Sequence, residues 1–440
     1  VKGRAGERGK RRGVGGGGAG VSIPAIEDAT AHRGPLWIRL RRFARLNPSR
    51  TEVAHLPDNL EVTFLPMERV SEQGEVDHST MRTLGDIRSG YTYFRDGDVV
   101  VAKITPCFEN GKSAWIQGCK SGVGFGTTEF HVIRAEPEVT ARYLSYVVRS
   151  SEFLGRGAAA MSGAAGQQRV PEDFVLDFPV YLPPLPTQRA IADFLDRKTA
   201  ALDGLIARKE RLLELLAERR AALIDSIFRS VTATPVRLRH LVDLLTGYAF
   251  ASDAYSQDDD DVRLVRGVNV GVGQLRWDEV VRWPRERLTG LDRYLLEPGD
   301  VVLGMDRPWI STGLRVASVR PSDCPSLLLQ RVARLRGGKS LRNAFLLYSL
   351  LWEPFRAHLE PETTGVSIPH ISGEQILSYS IPLPPIGEQD RLCERLDNAS
   401  RRLDETAQVA STQLSLLREY RQALITAAVT GQLEIPEVPA

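Results

Sequence analysis

Leu182-Pro183-Pro184-Leu185-Pro186-Thr187-Gln188 and Leu383-Pro384-Pro385-Ile386-Gly387-Glu388-Gln389 are two copies of one signal, set 201 residues apart. The correspondence runs without a gap through residues 179–235. Leu195-Asp196 returns as Leu396-Asp397, Leu202-Asp203 as Leu403-Asp404, and Arg220 as Arg421. Ala222-Leu223-Ile224 returns as Ala423-Leu424-Ile425, and Pro235 meets Pro436. A repeat this regular implies two equivalent structural environments and an internal pseudo-two-fold. Pro-Pro can neither continue a strand nor sit inside a helix, so each pair marks an entry turn. A helix should begin just beyond it, near Thr187 and Glu388.

From there apolar residues follow a four-three spacing: Ile191, Leu195, Leu202, Leu205, Leu212, Leu216 and Leu223, then Leu392, Leu396, Leu403, Leu414, Leu417 and Leu424. Such a seam argues for two long helices that pair as a coiled coil. Lys198, Lys209, Ala399 and Ala410 occupy seam slots, so each helix needs the other. The order block–helix–block–helix favours antiparallel pairing. Some forty-odd residues at 1.5 Å rise make a rod of about 65 Å, which would hold the blocks at opposite ends and act as a ruler.

The chain thus divides into a basic, Gly-rich tail (1–30), a variable block (31–178), a first repeated element (179–235), a second block (236–379) and a second repeated element (380–440). Both blocks read as mixed α/β (α+β) domains. Gly97-Asp98-Val99-Val100-Val101 and Gly299-Asp300-Val301-Val302-Leu303 each place an alternating strand after a tight turn. Phe130-His131-Val132-Ile133 and Val332-Ala333-Arg334-Leu335 are strands that lead to the apolar helices at Tyr143-Leu144-Ser145-Tyr146 and Phe345-Leu346-Leu347-Tyr348, at an offset of 202. A shared framework with different loops suggests one class of ligand and two specificities.

Composition is that of an ordinary globular chain: 440 residues, 42% hydrophobic, 25% charged, net charge +2. Any basic surface must come from local clustering. Cys107, Cys119, Cys324 and Cys393 sit at no metal or redox spacing and read as reduced thiols of a cytoplasmic protein. No apolar run reaches membrane-spanning length. Lys2, Arg4, Arg8, Lys10, Arg11 and Arg12 precede Gly15–Gly18 with no apolar core between them, so the tail reads as disordered rather than as a secretion signal.

Catalytic motifs fail one by one. Ala333 to Ser340 fits a relaxed phosphate-loop pattern, but the equivalent stretch of the first block is Ala135-Glu136-Pro137-Glu138, a turn that accepts acid. An amino-methyltransferase would carry Asn or Asp before Pro-Pro and an aromatic after it, whereas Leu precedes both pairs here. Asp196-Arg197-Lys198 has the letters of a nuclease triplet, but its copy, Asp397-Asn398-Ala399, loses the lysine. The histidines make no metal-binding pair with a glutamate, and Asp258 to Asp261 read as a solvated loop.

The two Leu-Pro-Pro-x-x-x-Gln helix starts resemble those of the specificity (S) subunits of type I restriction-modification enzymes. So do Leu244-Leu245-Thr246-Gly247-Tyr248-Ala249-Phe250 and the run Gly97 to Pro106 with Asn110-Gly111-Lys112. The resemblance spans residues 31–440. It departs at Thr187, where an acidic residue is usual, and in the first block's lack of a Thr-Gly-x-x-Phe stretch. It implies a non-catalytic subunit with two target-recognition domains that bind double-stranded DNA at a bipartite, asymmetric target. The repeated helices would form a spacer that docks methyltransferase subunits, two by pseudo-symmetry, and restriction/translocase subunits would complete the complex. The chain itself would need no cofactor or metal, since S-adenosylmethionine, ATP and Mg belong to the partners. Alternatives are a coiled-coil scaffold with two protein-binding domains and a stand-alone DNA-modifying enzyme. Phosphates call for Lys or Arg and base edges for Arg, Lys, Asn or Gln. The candidate DNA-binding residues are therefore Lys103, Asn110, Lys112 and Gln168 in the first block and Arg307, Arg315 and Lys339 in the second. The Gly/Ala-rich stretch 158–166 is either a loop that orders on DNA or a flexible connection.

Overall fold

The computed structural model describes residues 36–163, 167–310, 313–363 and 370–435. The tail, and the end of the stretch 158–166, lie outside them. The chain forms two compact units. Unit one holds the chain up to Gly204 together with Leu417 onward, and unit two holds Leu205–Leu416.

Among the described residues of unit one, ten strands are arranged around three apolar cores. They are β1 (Trp37–Arg39), β2 (Ala44–Leu46), β3 (Glu61–Leu65), β4 (Met81–Thr83), β5 (Thr92–Arg95), β6 (Val99–Ala102), β7 (Ser113–Trp115), β8 (Val123–Gly126), β9 (Phe130–Ala135) and β10 (Pro179–Tyr181). One sheet has the order β2-β9-β6-β7, the other β4-β3-β8-β5. All pairs in them are antiparallel except β3 with β8. Strand β6 is buried on both faces, which is why it reads as an unbroken apolar run. Val99 and Val101 enter the core against the helices, while Val100 enters the one shared with the second sheet. This division is the period-two alternation of a strand.

Unit two repeats the plan. Its strands are β11 (Pro235–Arg237), β12 (Val242–Thr246), β13 (Val262–Val265), β14 (Val272–Gln274), β15 (Arg282–Trp283), β16 (Val301–Gly304), β17 (Trp309–Ile310), β18 (Gly313–Leu314), β19 (Val316–Ser318), β20 (Ser326–Leu328), β21 (Val332–Gly337) and β22 (Ser380–Pro382). The orders are β12-β21-β16-β19-β14 and β15-β13-β20. Val301 and Leu303 face the helices, and Val302 faces the other way. In each unit a small antiparallel pair joins the start of the block to the strand before Pro-Pro: β1 with β10, and β11 with β22.

The helices are α1 (Leu84–Ile87), α2 (Ala141–Val147), α3 (Ser151–Ala160), α4 (Glu172–Asp177), α5 (Leu185–Arg229), α6 (Asn343–Leu351), α7 (Glu353–Thr363), α8 (Gly373–Ser378) and α9 (Ile386–Val429). The repeated elements α5 and α9 start two residues earlier than expected, at Leu185 and Ile386 rather than Thr187 and Glu388. Pro186 fits there because the first turn of a helix has no intrahelical use for its N–H. The seam is also corrected. Thr199 and Ser400 are buried, in place of their neighbours Lys198 and Ala399, and Leu205 is exposed. Steps of four and three along Ile191, Leu195, Thr199 and Leu202 keep one face inward at 3.6 residues per turn.

Within unit one the start of α5 and the end of α9 share a core, Ile191 and Leu195 with Ile425, Ala428 and Val429. Arg421 Nε donates to Asp203 at 2.7 Å. Within unit two the end of α5 and the start of α9 do the same, Ile224, Ile227 and Phe228 with Leu392, Cys393 and Leu396. There Arg220 Nη1 donates to Asp404 at 2.9 Å. At the offset of 201 these are one contact made twice.

The same holds for the junction of helix and block. Buried Gln188 accepts from Thr140 N–H (2.9 Å) and donates to the carbonyls of Glu138 (3.0 Å) and Pro183 (2.8 Å). Buried Gln389 accepts from Arg342 N–H (2.9 Å) and donates to Ser340 and Pro384 (both 2.8 Å). Tyr146 donates to Asp196 and Tyr348 to Asp397.

The turn aspartates are the third repeated device. Asp98 accepts from Arg95 N–H and takes two bonds from Arg134, and both side chains are nearly fully buried (Arg134 3%, Asp98 1%). Asp300 does likewise with Glu297 N–H and Arg336, and each arginine also meets a glutamate, Arg134 with Glu52 and Arg336 with Glu297, but Arg336 is 29% exposed. Removing one partner of a buried pair strands a charge, at about 3–5 kcal/mol. Asp98→Ala should therefore destabilise unit one by about that much, and Asp300→Ala should destabilise unit two by only about 1–3 kcal/mol, because Arg336 can hydrate. Denaturant titration followed by hydrogen exchange in each unit checks the contrast, and equal losses would contradict it.

Candidate nucleic-acid interface

Each main sheet has two ends. One carries the turn aspartate and meets the long helix through the buried glutamine; the other is a cluster of loops. In unit one, that loop end begins where β6 runs out. Lys103 N–H donates to Glu129 O (2.8 Å) and Val170 N–H donates to Lys103 O (2.8 Å). In unit two, Met305 N–H donates to Arg331 O and Ile371 N–H to Met305 O, both at 2.9 Å. The backbone frame is the same, and the side chains on it differ.

Lys103 lines a groove of about 240 Å³ with Asn47, Arg50, Tyr91 and Phe130. Gln168 lies beside it: Thr105 N–H donates to Gln168 O (3.0 Å) and Gln168 N–H to Thr105 Oγ1 (3.2 Å). Asn110 is exposed on the turn after β6 and lines a different groove, with Arg149, Arg421 and Gln422. Lys112, on the same hairpin, spends its Nζ on Met67 O at 3.4 Å. All four residues thus belong to one end of the sheet, where Lys103 and Asn110 line separate grooves.

In unit two, Arg307 and Arg315 share that end. Arg307 is exposed with φ 44°. Arg315 is half-buried and donates to Gly267 O at 2.6 Å, so it braces a loop. Lys339 is elsewhere. It follows β21 at the helix end, next to Ser340, whose carbonyl accepts from Gln389. The stretch around it is strand, turn and then α6, not a Gly-rich cradle, in keeping with the rejected phosphate loop.

The sequence pattern missed several residues of the loop ends. In unit one Arg169 makes a two-bond pair with Glu129 at 2.8 Å each, and this guanidinium holds the carboxyl below its ordinary range. His131 beneath them is buried, which pushes its pKa down, and its Nε2 donates to Val170 O at 2.9 Å. In unit two Tyr248 is exposed while packing on Phe250 and Tyr294, with ring centroids 5.0 and 5.3 Å away. Exposed Gln330 and Arg331 adjoin it, since Gln330 N–H donates to Tyr248 O at 2.8 Å. An exposed aromatic beside Arg and Gln is suited to stacking and to base-edge hydrogen bonding. A signal was present at the offset of 202: Glu129 meets Arg331, and Ile104 meets Asp306, so the same positions carry opposite or new charge.

No group of His, Cys, Asp or Glu among the described residues could hold a metal ion. The four cysteines are free, and burial pushes the Cys393 thiol up to about 12. Among the described residues no helix is long and apolar enough to cross a membrane. Asp259 pairs with Arg282 in an exposed loop.

Residues 288–411 match the family described as the type I restriction modification DNA specificity domain. The chain is similar to the type I restriction specificity subunits. The EcoAI specificity subunit of Escherichia coli is 29% identical over 89% of this chain and 82% of its own length. The EcoEI specificity subunit of the same species is 36% identical over 44% of this chain and 32% of its own. A chain from a solved structure of a type I R-M system superposes with a TM-score of 0.55 at 19% identity, over 90% of this chain and 98% of that one, which shows the fold.

Gly247 is where the Tyr248 platform depends most on having no side chain. A Cβ there would lie 2.1 Å from Leu329 O, a backbone atom that no rotamer change can move. Gly247→Ala should cost about 1–3 kcal/mol by overpacking. It should also speed hydrogen exchange at the Tyr248 and Gln330 amides, and unchanged exchange there would show that the contact is not required.

Proposed function

We propose that this chain is the sequence-specific DNA-binding subunit of a type I restriction-modification complex. It would recognise a bipartite, asymmetric target and direct adenine methylation and cleavage by partner subunits. The observation that carries this reading is one backbone frame built twice with unlike side chains at its loop ends. Two equal frames favour one kind of ligand, and unlike ends favour two different half-sites. Blocks 31–178 and 236–379 are then the two target-recognition domains, and 179–235 and 380–440 the spacer elements. S-adenosylmethionine, ATP and Mg would be used by the partners.

Exposed apolar side chains on the long helices support a docking role. Leu215 and Leu416 are equivalent at the 201 offset and both are exposed, as are Val409 and Tyr420. A leucine repeated on the outside of both copies favours two methyltransferase subunits per chain, with restriction/translocase subunits completing the assembly.

The direct test is exchange of residues 236–379 for the matching block of a relative, read as the DNA sequence bound by the full chain. One half-site should change and the other should stay. A joint change of both half-sites would overturn the two-reader account, and salt-independent or absent duplex binding would overturn DNA recognition itself.

The spacer has its own test. Deleting 205–211 and 406–412 keeps the heptad register and retains both the Asp203–Arg421 and Arg220–Asp404 pairs. It removes about 10 Å of helix, or about 3 base pairs at 3.4 Å each. Recognition of the original target should fall, and any that survives should move to a target with a shorter spacer and the same half-sites. Unchanged spacing would show that the helices do not set it.

A further inference from the structure

Two arginines of unit two hold a left-handed backbone, Arg307 at φ 44° and Arg331 at φ 70°. Side-chain-bearing residues keep such angles only where the surroundings over-determine them. Their equivalents at the 202 offset, Thr105 and Glu129, are not among the positive-φ residues of unit one. The shared frame therefore does not demand the strain at these two positions, where it belongs to unit two.

The geometry shows what the strained loop holds. His370 Nδ1 and Asp306 Oδ1 are 2.6 Å apart, with the imidazole donating. The other ring nitrogen then accepts, and Arg331 Nη1 lies 3.4 Å from it. Arg331 Nε is 3.7 Å from Asp306 Oδ2. The guanidinium is braced along one flank while the side chain remains 61% exposed. In unit one Arg169 is instead closed in a two-bond pair with Glu129, which leaves it little fork to offer. A planar fork fixed in direction and open to solvent matches the O6 and N7 acceptors of guanine in the major groove.

We propose that Arg331 is a specificity-determining residue of unit two, reading a guanine in its half-site, and that Asp306 and His370 are its positioning residues. This rests on the DNA-recognition reading above. Arg331 would touch the base; Asp306 would act through it by limiting the directions the fork can take.

Selection from a randomised duplex library, with the full-length chain and its Arg331→Ala, Arg331→Lys and Asp306→Asn variants, tests the proposal. The unaltered chain should enrich a two-block target with a guanine in one block. Both Arg331 variants should lose preference at that one position by roughly 5- to 150-fold, the value of a good bidentate contact, and leave the other block alone. Asp306→Asn should weaken the same position by less. The salt dependence of Arg331→Lys should match that of the unaltered chain, because the charge is kept. The lysine variant also carries the test if the alanine variant fails to fold. Three results overturn the proposal. Retained guanine preference in Arg331→Lys removes the need for the fork. Equal weakening on all sequences in Arg331→Ala, with a salt slope smaller by about one, makes Arg331 a phosphate contact. If the unaltered chain enriches no sequence, DNA recognition itself fails, and that outcome is distinct from the other two.

Discussion

A buried glutamine at the start of each long helix is the contact on which the rest of the structure depends. Helix and block must be joined rigidly if anything done by the block is to be referred to the helix. A carboxamide can donate and accept at once, and Gln188 uses both functions: it takes the N–H at the N-cap of α2 and gives its own hydrogens to Glu138 O and Pro183 O. Gln389 does the same at α6. Neither glutamate nor leucine of similar size could replace it, since the first lacks the donors and the second leaves three backbone groups unpaired in a dry site. The Pro-Pro turn brings the chain to that point, and Tyr146–Asp196 and Tyr348–Asp397 each hold the helix about two turns further on.

The repeat made this frame legible before any coordinates. Gln188, the turn aspartates and the apolar strands all returned at nearly constant offset, and each proved to be a contact made twice. What stayed hidden was decided by three-dimensional pairing. The helix starts lie two residues before the positions the sequence suggests because Pro186 can belong to a first turn as well as precede one. The inner face passed through Thr199 and Ser400, small polar residues that a search for leucines steps over.

The candidate recognition residues were legible only in part. Lys103 and Arg307 lie at the loop ends because they follow the strands that the Gly-Asp turns announce, while Gln168 and Arg315 reach those ends from other parts of the chain. Lys339 was drawn in by its charge and lies at the helix end beside Ser340. Arg331 and Arg169 were missed because neither stands in a motif. Their environments come from Asp306 and His370 in one case and from Glu129 in the other, across 25 to 40 positions of chain. Comparing the two blocks position by position points to Arg331, since a shared backbone bond carries Glu129 in one and Arg331 in the other.

One frame used twice, with unlike loop ends, leads to a single expectation about DNA. Profiling adenine methylation across the genome of cells that express this chain with the proposed methyltransferase partner measures it directly. The account predicts one new motif made of two different blocks separated by a fixed run of unspecified bases. A contiguous motif, a palindrome of two identical blocks, or no new motif would contradict it.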